Sequence, residues 1–163
     1  MGSGKSSIGR RLAAKQKKPF VDTDAEIAAT AGISIRKIFT QEGEEVFRNR
    51  ETAVLRSLAH RKGIILATGG GIILREENRR LLREIGLVIW LYARSDILFA
   101  RAMRSRKRPL LQVENPWETF ESLLASREAL YRKSANFQVD SSYLNHDEAA
   151  SKILEFVVHK PHD

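Results

Sequence analysis

The most constraining feature of this sequence is the run Gly4-Lys5-Ser6 near the start of the chain. A phosphate-binding loop has the pattern Gly, four residues, Gly-Lys-Ser/Thr, and this run supplies the end of that pattern. Such a loop curls backbone N–H groups around an anion, so side chains are unwelcome and glycine is favoured. Residues 7–14 have the pattern of a helix, whose N-terminus adds N–H donors and a positive dipole end. The run therefore predicts an α/β fold with a loop and helix that bind phosphate.

The loop also predicts individual roles for its residues. Lys5 is expected to reach the outer phosphates of a nucleotide, and the Ser6 hydroxyl is expected to coordinate Mg²⁺. The alternative is a flexible N-terminus that is merely rich in Gly and Ser. The predicted nucleotide-binding residues at this end of the chain are Gly2, Ser3, Gly4, Lys5, Ser6 and Ser7.

Size and charge limit the possible classes of protein. The 163 residues suit one domain, 1–163, and the absence of cysteine excludes disulfides, thiolate metal sites and a thiol nucleophile. The sequence has no apolar run of about 18 residues and no signal-peptide pattern, so we expect a soluble, cytoplasmic protein with no membrane partner. A net charge of +8 favours anionic partners, which could be nucleic acid, an acidic membrane surface, or a phosphorylated and carboxylated small molecule.

Apolar runs that end in polar or glycine residues alternate with helical patterns along the chain. Strands are predicted near residues 20–22, 64–67, 87–91 and 137–140, and helices near 24–30, 35–39, 42–60, 76–84, 96–104, 117–131 and 146–158. Continuous apolar strands separated by helices indicate a parallel sheet with helices on both faces, a three-layer sandwich.

Two further motifs follow predicted strands, at the edge of an α/β sheet where ligands bind. Asp22-Thr23-Asp24 offers two carboxylates, one suited to Mg²⁺ and the other to a hydroxyl that loses a proton. The triple glycine Gly69-Gly70-Gly71 permits close approach of the backbone to a ligand. The alternatives are a helix cap for the aspartates and an ordinary turn for the glycines.

These motifs, taken in order, resemble the shikimate kinase family, a group of P-loop small-molecule kinases. The resemblance covers most of the chain, from the start to about Asp140. It rests on the following motifs: Gly2-Ser3-Gly4-Lys5-Ser6, Asp22-Thr23-Asp24, Ile38-Phe39 with Gly43-Glu44, Phe47-Arg48 with Glu51, Gly69-Gly70-Gly71, Arg108-Pro109-Leu110-Leu111, and Arg127 ahead of Leu130-Tyr131-Arg132.

The resemblance implies an enzyme that transfers the γ-phosphoryl group of ATP to the 3-hydroxyl of shikimate, with Mg²⁺. It implies that Asp22 lies near the metal and that Asp24 binds shikimate hydroxyls and is the base candidate. Arg48, oriented by Glu51, and Arg127 would hold the carboxylate, and the ring would lie against Gly70 and Gly71. Arg101 would lie against adenine, while Arg108, on a lid at about 104–117, would meet the phosphates. The shikimate-binding region would be about 24–60.

Arginine suits these roles because its planar fork binds a carboxylate in a bidentate manner. For Arg48 or Arg127 alone, a solvated helix face is the ordinary alternative. The basic run 104–108 could instead contact nucleic acid, but it lacks the interleaved aromatic or base-reading residues that such a contact needs. We therefore expect no nucleic-acid partner, and we expect a monomer.

Two departures from the family pattern are visible. Residues 141–146 lack the proline and basic residues that often hold adenine, although Tyr143 or His146 could stack there. The first glycine of the loop and the strand before it, which is central in this family, would precede Met1. We therefore expect a natural protein about ten residues longer. The alternative functions are a kinase of another small hydroxy acid such as gluconate, or a catalytically silent ligand-binding protein.

Overall fold

The computed structural model describes residues 2–104 and 113–159. These described residues form four short strands and eight helices, with a π-helical turn at Ile38–Glu42 and a 3₁₀ turn at Ile72–Leu74. The strands are β1 Phe20–Asp22, β2 Ile65–Ala67, β3 Ile89–Tyr92 and β4 Phe137–Asp140. The helices are α1 Lys5–Gln16, α2 Thr23–Ala31, α3 Ile35–Lys37, α4 Glu44–Leu58, α5 Glu76–Ile85, α6 Ser95–Met103, α7 Pro116–Ser134 and α8 His146–His159.

All pairing between the described strands is parallel. β1 pairs with β2, with Val21 opposite Leu66, and β3 pairs with β4, with Leu91 opposite Val139. Each parallel pair needs a helical crossover between its strands, and α2 to α4 and α6 to α7 provide these crossovers. The predicted α/β class is confirmed, because all four predicted strands form and all of them are parallel.

The core lies on both faces of the strands. On one face, Ile8 of α1 and Ile153 of α8 belong to a buried cluster against which Ile65 of β2 packs. On the other face, Leu55 of α4 belongs to a second cluster, and Leu66 packs against that one. Adjacent residues of β2 thus face opposite layers, as the pleat of a strand requires. The arrangement is the predicted three-layer sandwich.

The sequence predicts one sheet, but the described strands form two separate pairs, β1–β2 and β3–β4. Within these pairs, β2 and β3 are each hydrogen-bonded along one edge only. A cavity of about 560 Å³ reaches from β2 to β3 and continues between the helices of both faces. Apolar residues that line it include Ile8, Leu12, Leu66, Leu82, Leu91 and Leu124.

Local signals explain several helix boundaries. The Asp22 side chain accepts a hydrogen bond from Asp24 N at 3.1 Å, and Ser34 Oγ accepts one from Lys37 N at 3.3 Å, so both residues are N-caps. Gly32 ends α2 in the left-handed region, at φ 68°. Asp22 therefore caps α2 and is also the last residue of β1. Among the described helices, none is long and apolar enough to span a membrane.

Candidate active site

The phosphate loop lies where Gly2, Ser3 and Gly4 lead into α1. Gly2 and Gly4 have φ values of 74° and 79°, in the left-handed region that favours glycine. A Cβ on Gly2 would lie 2.4 Å from the carbonyl oxygen of Leu98, so a side chain does not fit there. Lys5 Nζ is 3.4 Å from Ser3 Oγ, and Ser7 lies in the first turn of α1. Both glycines are therefore needed for backbone geometry, as the loop motif predicts.

Ser6 and Asp22 place two side-chain oxygens next to each other beside this loop. Ser6 Oγ donates a hydrogen bond of 2.6 Å to Asp22 Oδ2, across 16 positions of sequence. A hydroxyl and a carboxylate are hard oxygen donors, which suit Mg²⁺ when water and nucleotide phosphates complete the coordination. Among the residues described, no group of three or more His, Cys, Asp or Glu side chains could hold a metal ion. The two residues therefore fit a Mg²⁺ ion bound together with a nucleotide.

Gly69 brings two carboxyl groups together at the end of β2. A Cβ on Gly69 would lie 2.8 Å from Asp24 Oδ1 and 3.1 Å from Glu51 Oε1. Glu51 is fully buried, and its Oε1 has no hydrogen-bond partner among the described residues. Burial raises the pKa of Glu51 and the Asp24 charge adds to this, while Arg48 opposes it. Asp24 and Glu51 thus form an acidic corner at the tip of the turn, and glycine leaves room there for both carboxyl groups.

Arg48 is held rigidly on α4. Its Nη1 donates to Glu51 Oε2 at 2.6 Å, and its Nε and Nη2 donate to Glu44 Oε1 at 3.1 and 2.7 Å. The side chain is only 7% exposed. Burial by itself lowers the pKa of Arg48, but the bonds to the two glutamates outweigh it and raise that pKa. The predicted orientation of Arg48 by Glu51 is observed, and Glu44 is a second partner.

The glycine turn contacts both predicted carboxylate-binding helices. A Cβ on Gly71 would lie 2.3 Å from Nη1 of Arg48 on α4. Tyr131 of α7 donates a hydrogen bond of 2.6 Å to the carbonyl oxygen of Gly70. Arg127, one turn earlier on α7, is buried, and its charge acts on both Tyr131 and Glu51. Arg48, Arg127, Gly70 and Gly71 therefore lie around one site with Asp24.

The predicted adenine-binding residues lie on the other side of the phosphate loop. Arg101 of α6 donates hydrogen bonds to the carbonyl oxygens of Ser141 and Ser142, at 3.1 and 3.4 Å. A Cβ on Gly4 would lie 3.0 Å from His146 Nε2, so His146 faces the phosphate loop. Tyr143 is 78% exposed and accepts a hydrogen bond from Arg94. Arg108 and most of the predicted lid lie outside the described residues.

The sequence reasoning missed two contacts of the site. The i,i+4 spacing of Glu44 and Arg48 on a predicted helix was a usable signal for their ion pair. The bond from Tyr131 to Gly70 joins residues 61 positions apart, and no local pattern indicates it.

The fold and the site together define a class of protein. Parallel strands between two helical layers place a glycine-rich loop, a helix N-terminus and a hydroxyl–carboxylate pair at one edge of the strands. This is the arrangement of a P-loop phosphotransferase. A sequence model of the family described as shikimate kinase matches residues 1–158. The chain belongs to the shikimate kinase family, as the motifs predicted.

Individual relatives agree with this assignment. A shikimate kinase of Chromobacterium violaceum is 43% identical over 162 residues, which are 99% of this chain and 88% of the relative. A shikimate kinase of Thioalkalivibrio sulfidiphilus is 50% identical over 141 residues, 86% of this chain and 74% of the relative. The solved shikimate kinase of Acinetobacter baumannii in complex with shikimate has a TM-score of 0.93 and 42% identity, covering 97% of this chain and 88% of that one.

Proposed function

We propose that this protein is a shikimate kinase that transfers the γ-phosphoryl group of ATP to the 3-hydroxyl of shikimate, giving shikimate 3-phosphate and ADP. Membership of the family supports the reaction and the use of ATP with Mg²⁺. The observation that carries the substrate is the buried Arg48 held by Glu51 and Glu44 beside Gly71, with Arg127 across the turn. Rigid arginines in a small site suit a compact carboxylate.

The proposed mechanism divides the site into three parts. Arg48 and Arg127 bind the carboxylate of the acceptor, and Gly70 and Gly71 let its ring approach the backbone. Asp24, at the acidic corner, receives the proton that the acceptor hydroxyl loses as its oxygen bonds to the γ-phosphorus. The bond from that phosphorus to the β,γ-bridging oxygen breaks and ADP leaves. Because phosphoryl transfer depends on positioning and charge, the other catalytic residues are Lys5 and Arg108, which neutralise phosphate charge.

The nucleotide site completes the proposal. Gly2, Ser3, Gly4 and Ser7 bind phosphates through backbone and hydroxyl donors. Ser6 and Asp22 would hold Mg²⁺, which would supply positive charge to screen the phosphates. Arg101 lies by the segment that receives adenine. We further propose one kinase domain over residues 1–163, with shikimate bound by the region 24–60, a cytoplasmic location and a monomeric state. Sedimentation of the purified protein tests the last point, and a dimer would contradict it.

The test of function is ADP release with shikimate, gluconate and nucleoside monophosphates as separate acceptors. We expect turnover with shikimate alone. Asp24→Ala and Lys5→Ala should each lower kcat by roughly 100- to 1,000-fold, because each removes a group that acts on charge in the transition state. Arg80→Ala, at an exposed i,i+4 pair on α5, is the control and should leave turnover unchanged. Equal turnover of gluconate would contradict the substrate assignment.

A further inference from the structure

Tyr131 joins two parts of the site that the sequence keeps far apart. It lies on α7, one turn beyond Arg127, and its hydroxyl donates to the carbonyl oxygen of Gly70 at 2.6 Å. A Cβ on Gly70 would lie only 3.0 Å from the same hydroxyl oxygen. The next residue of the turn, Gly71, lies against the guanidinium of Arg48. The hydroxyl therefore joins α7 to the glycine turn, next to the point where the turn contacts Arg48.

The ring of Tyr131 is held by its surroundings. It stacks on Trp90 of β3, with ring centroids 5.7 Å apart and an angle of 20° between planes. The guanidinium carbon of Arg132 lies over the Trp90 ring, 5.6 Å from the ring centroid. Tyr131 also packs against the buried cluster that contains Ile72 and Ile73, just after the glycine turn. A ring fixed in this way gives its hydroxyl one position.

The protonation of the hydroxyl suits this contact. Burial raises the pKa of Tyr131, and this outweighs the opposing effect of Arg127. The hydroxyl therefore stays protonated and can donate its hydrogen bond to the carbonyl oxygen of Gly70. The positive charge of Arg127, by itself, lowers the pKa of Tyr131. The hydroxyl thus donates to a backbone carbonyl of the turn and lies within the electrostatic influence of Arg127. A tyrosine that served packing alone would not need the bond to Gly70.

We propose that Tyr131 is a positioning residue that sets Arg127 and the Gly70–Gly71 turn at the spacing needed to bind the carboxylate of the acceptor. This inference rests on the proposed function. Tyr131 does not need to touch the acceptor in this role. It fixes the relative position of two elements, α7 and the turn after β2, which this bond joins across 61 positions of sequence.

Tyr131→Phe tests the proposal, because it removes the hydroxyl and keeps the stacked ring. We expect KM for shikimate to rise roughly 3- to 15-fold, in line with the loss of one hydrogen bond. KM for ATP should stay within about twofold, and kcat should change little. Tyr92→Phe is the matched control, since Tyr92 also packs on Trp90 and lies outside the proposed site. Its kinetics should equal those of the wild type.

A double-mutant cycle with Arg127→Lys separates positioning from simple packing. If Tyr131 acts by placing Arg127, the double variant should lose little more shikimate affinity than Arg127→Lys alone. Additive losses would overturn the role, and so would an unchanged KM for shikimate in Tyr131→Phe. Equal rises in both KM values together with a lower Tm would show a structural effect and overturn it as well. A wild type that neither binds nor turns over shikimate would instead contradict the proposed function and the inference with it.

Discussion

Gly71 shows how a missing side chain shapes the site at the scale of single residues. Its φ of −85° suits any residue, so backbone strain does not explain the glycine. Space does, because a Cβ there would lie 2.3 to 2.6 Å from three atoms of the Arg48 guanidinium. Arg48 itself is fixed by two glutamates and has little freedom to move. A methyl group at this position must therefore displace either the turn or the arginine.

We expect Gly71→Ala to raise KM for shikimate by at least 10-fold, because a charge-assisted contact of Arg48 is worth roughly 1.5–3 kcal/mol. Steady-state kinetics with shikimate varied at saturating ATP would measure this. Gly86→Ala is the matched control, since nothing lies within 4 Å of a Cβ at Gly86. If both variants behaved alike, close approach of Gly71 to Arg48 would not matter for binding.

Glu51 gives a prediction of pH dependence. Its folded-state pKa is raised above 4.5, first by burial, so the folded protein holds this proton more tightly than the unfolded chain. The stability that this proton contributes is fully present below pH 4.5 and is lost as pH rises through the raised pKa. The free energy of unfolding of the wild type, minus that of Glu51→Gln, should therefore be larger at about pH 4 than at about pH 7.

Urea denaturation of both proteins at the two pH values measures this difference. Glu84→Gln removes a half-exposed carboxylate of an i,i+4 pair and serves as the control, with a much smaller change expected. A difference that grew with pH would mean that the bond to Arg48, rather than burial, dominates at Glu51.

At the scale of elements, α6 is tied to the loop between β4 and α8. Arg101 donates to two consecutive backbone carbonyls of that loop, and Ser142 Oγ accepts a hydrogen bond from Arg94 N at the start of α6. The loop follows Asp140, the last residue of β4. The hydroxyl and N–H of Ser142 both donate to the Asp140 carboxylate and lower its pKa. These contacts hold the loop in one conformation beside the phosphate loop.

We expect Arg101→Ala to raise KM for ATP roughly 3- to 10-fold, since it removes one or two hydrogen bonds that shape the adenine side of the site. KM for shikimate should be unchanged, because the acceptor residues lie on α2, α4, α7 and the turn after β2. Kinetics with each substrate varied in turn would show the split. A rise in KM for shikimate alone would contradict this division of the molecule.

At the scale of the whole molecule, the main feature is the cavity of about 560 Å³ that reaches from β2 to β3. Its lining comes from the strands and from both helical layers, so an extended apolar segment there would bury its side chains on both faces. Each ladder hydrogen bond is worth about 1 kcal/mol, and each buried side chain roughly 1.5–3 kcal/mol. Ordering the segment costs about 1–2 kcal/mol per residue, which leaves a favourable balance.

We therefore expect the chain to be stabilised when about five apolar, β-branched residues are added before Met1. The free energy of unfolding should rise by a few kcal/mol, and the melting transition should become sharper as two half-sheets become one. Thermal denaturation followed by circular dichroism would measure both. An equally long Gly/Ser extension is the control. Equal melting of the two extended chains would show that the cavity does not accept a strand.

The local backbone of the nucleotide side could be predicted from sequence because its signals are local. Gly4-Lys5-Ser6, the capping pattern at Asp22 and the apolar strand before Gly69 each lie within a few residues, where backbone sterics and hydrogen bonding act directly. Strand β4 was predicted with its observed bounds for the same reason, and the strands and helices elsewhere differ by only a few residues at their ends. The shikimate kinase family was also evident from the order of these motifs.

Only the tertiary structure decided how distant groups meet. The approach of Gly69 to Asp24 and Glu51, the contact of Gly71 with Arg48 and the bond from Tyr131 to Gly70 join separate elements. Their geometry depends on the packing of α4 and α7 around one turn, which no local pattern encodes. The pairing of β1 with β2 and of β3 with β4 likewise joins strands that are distant in the chain. The sequence by itself thus determined the local backbone around each motif, because those signals lie within a few residues. Long-range packing decided the distances between the motifs and how their charges act on one another.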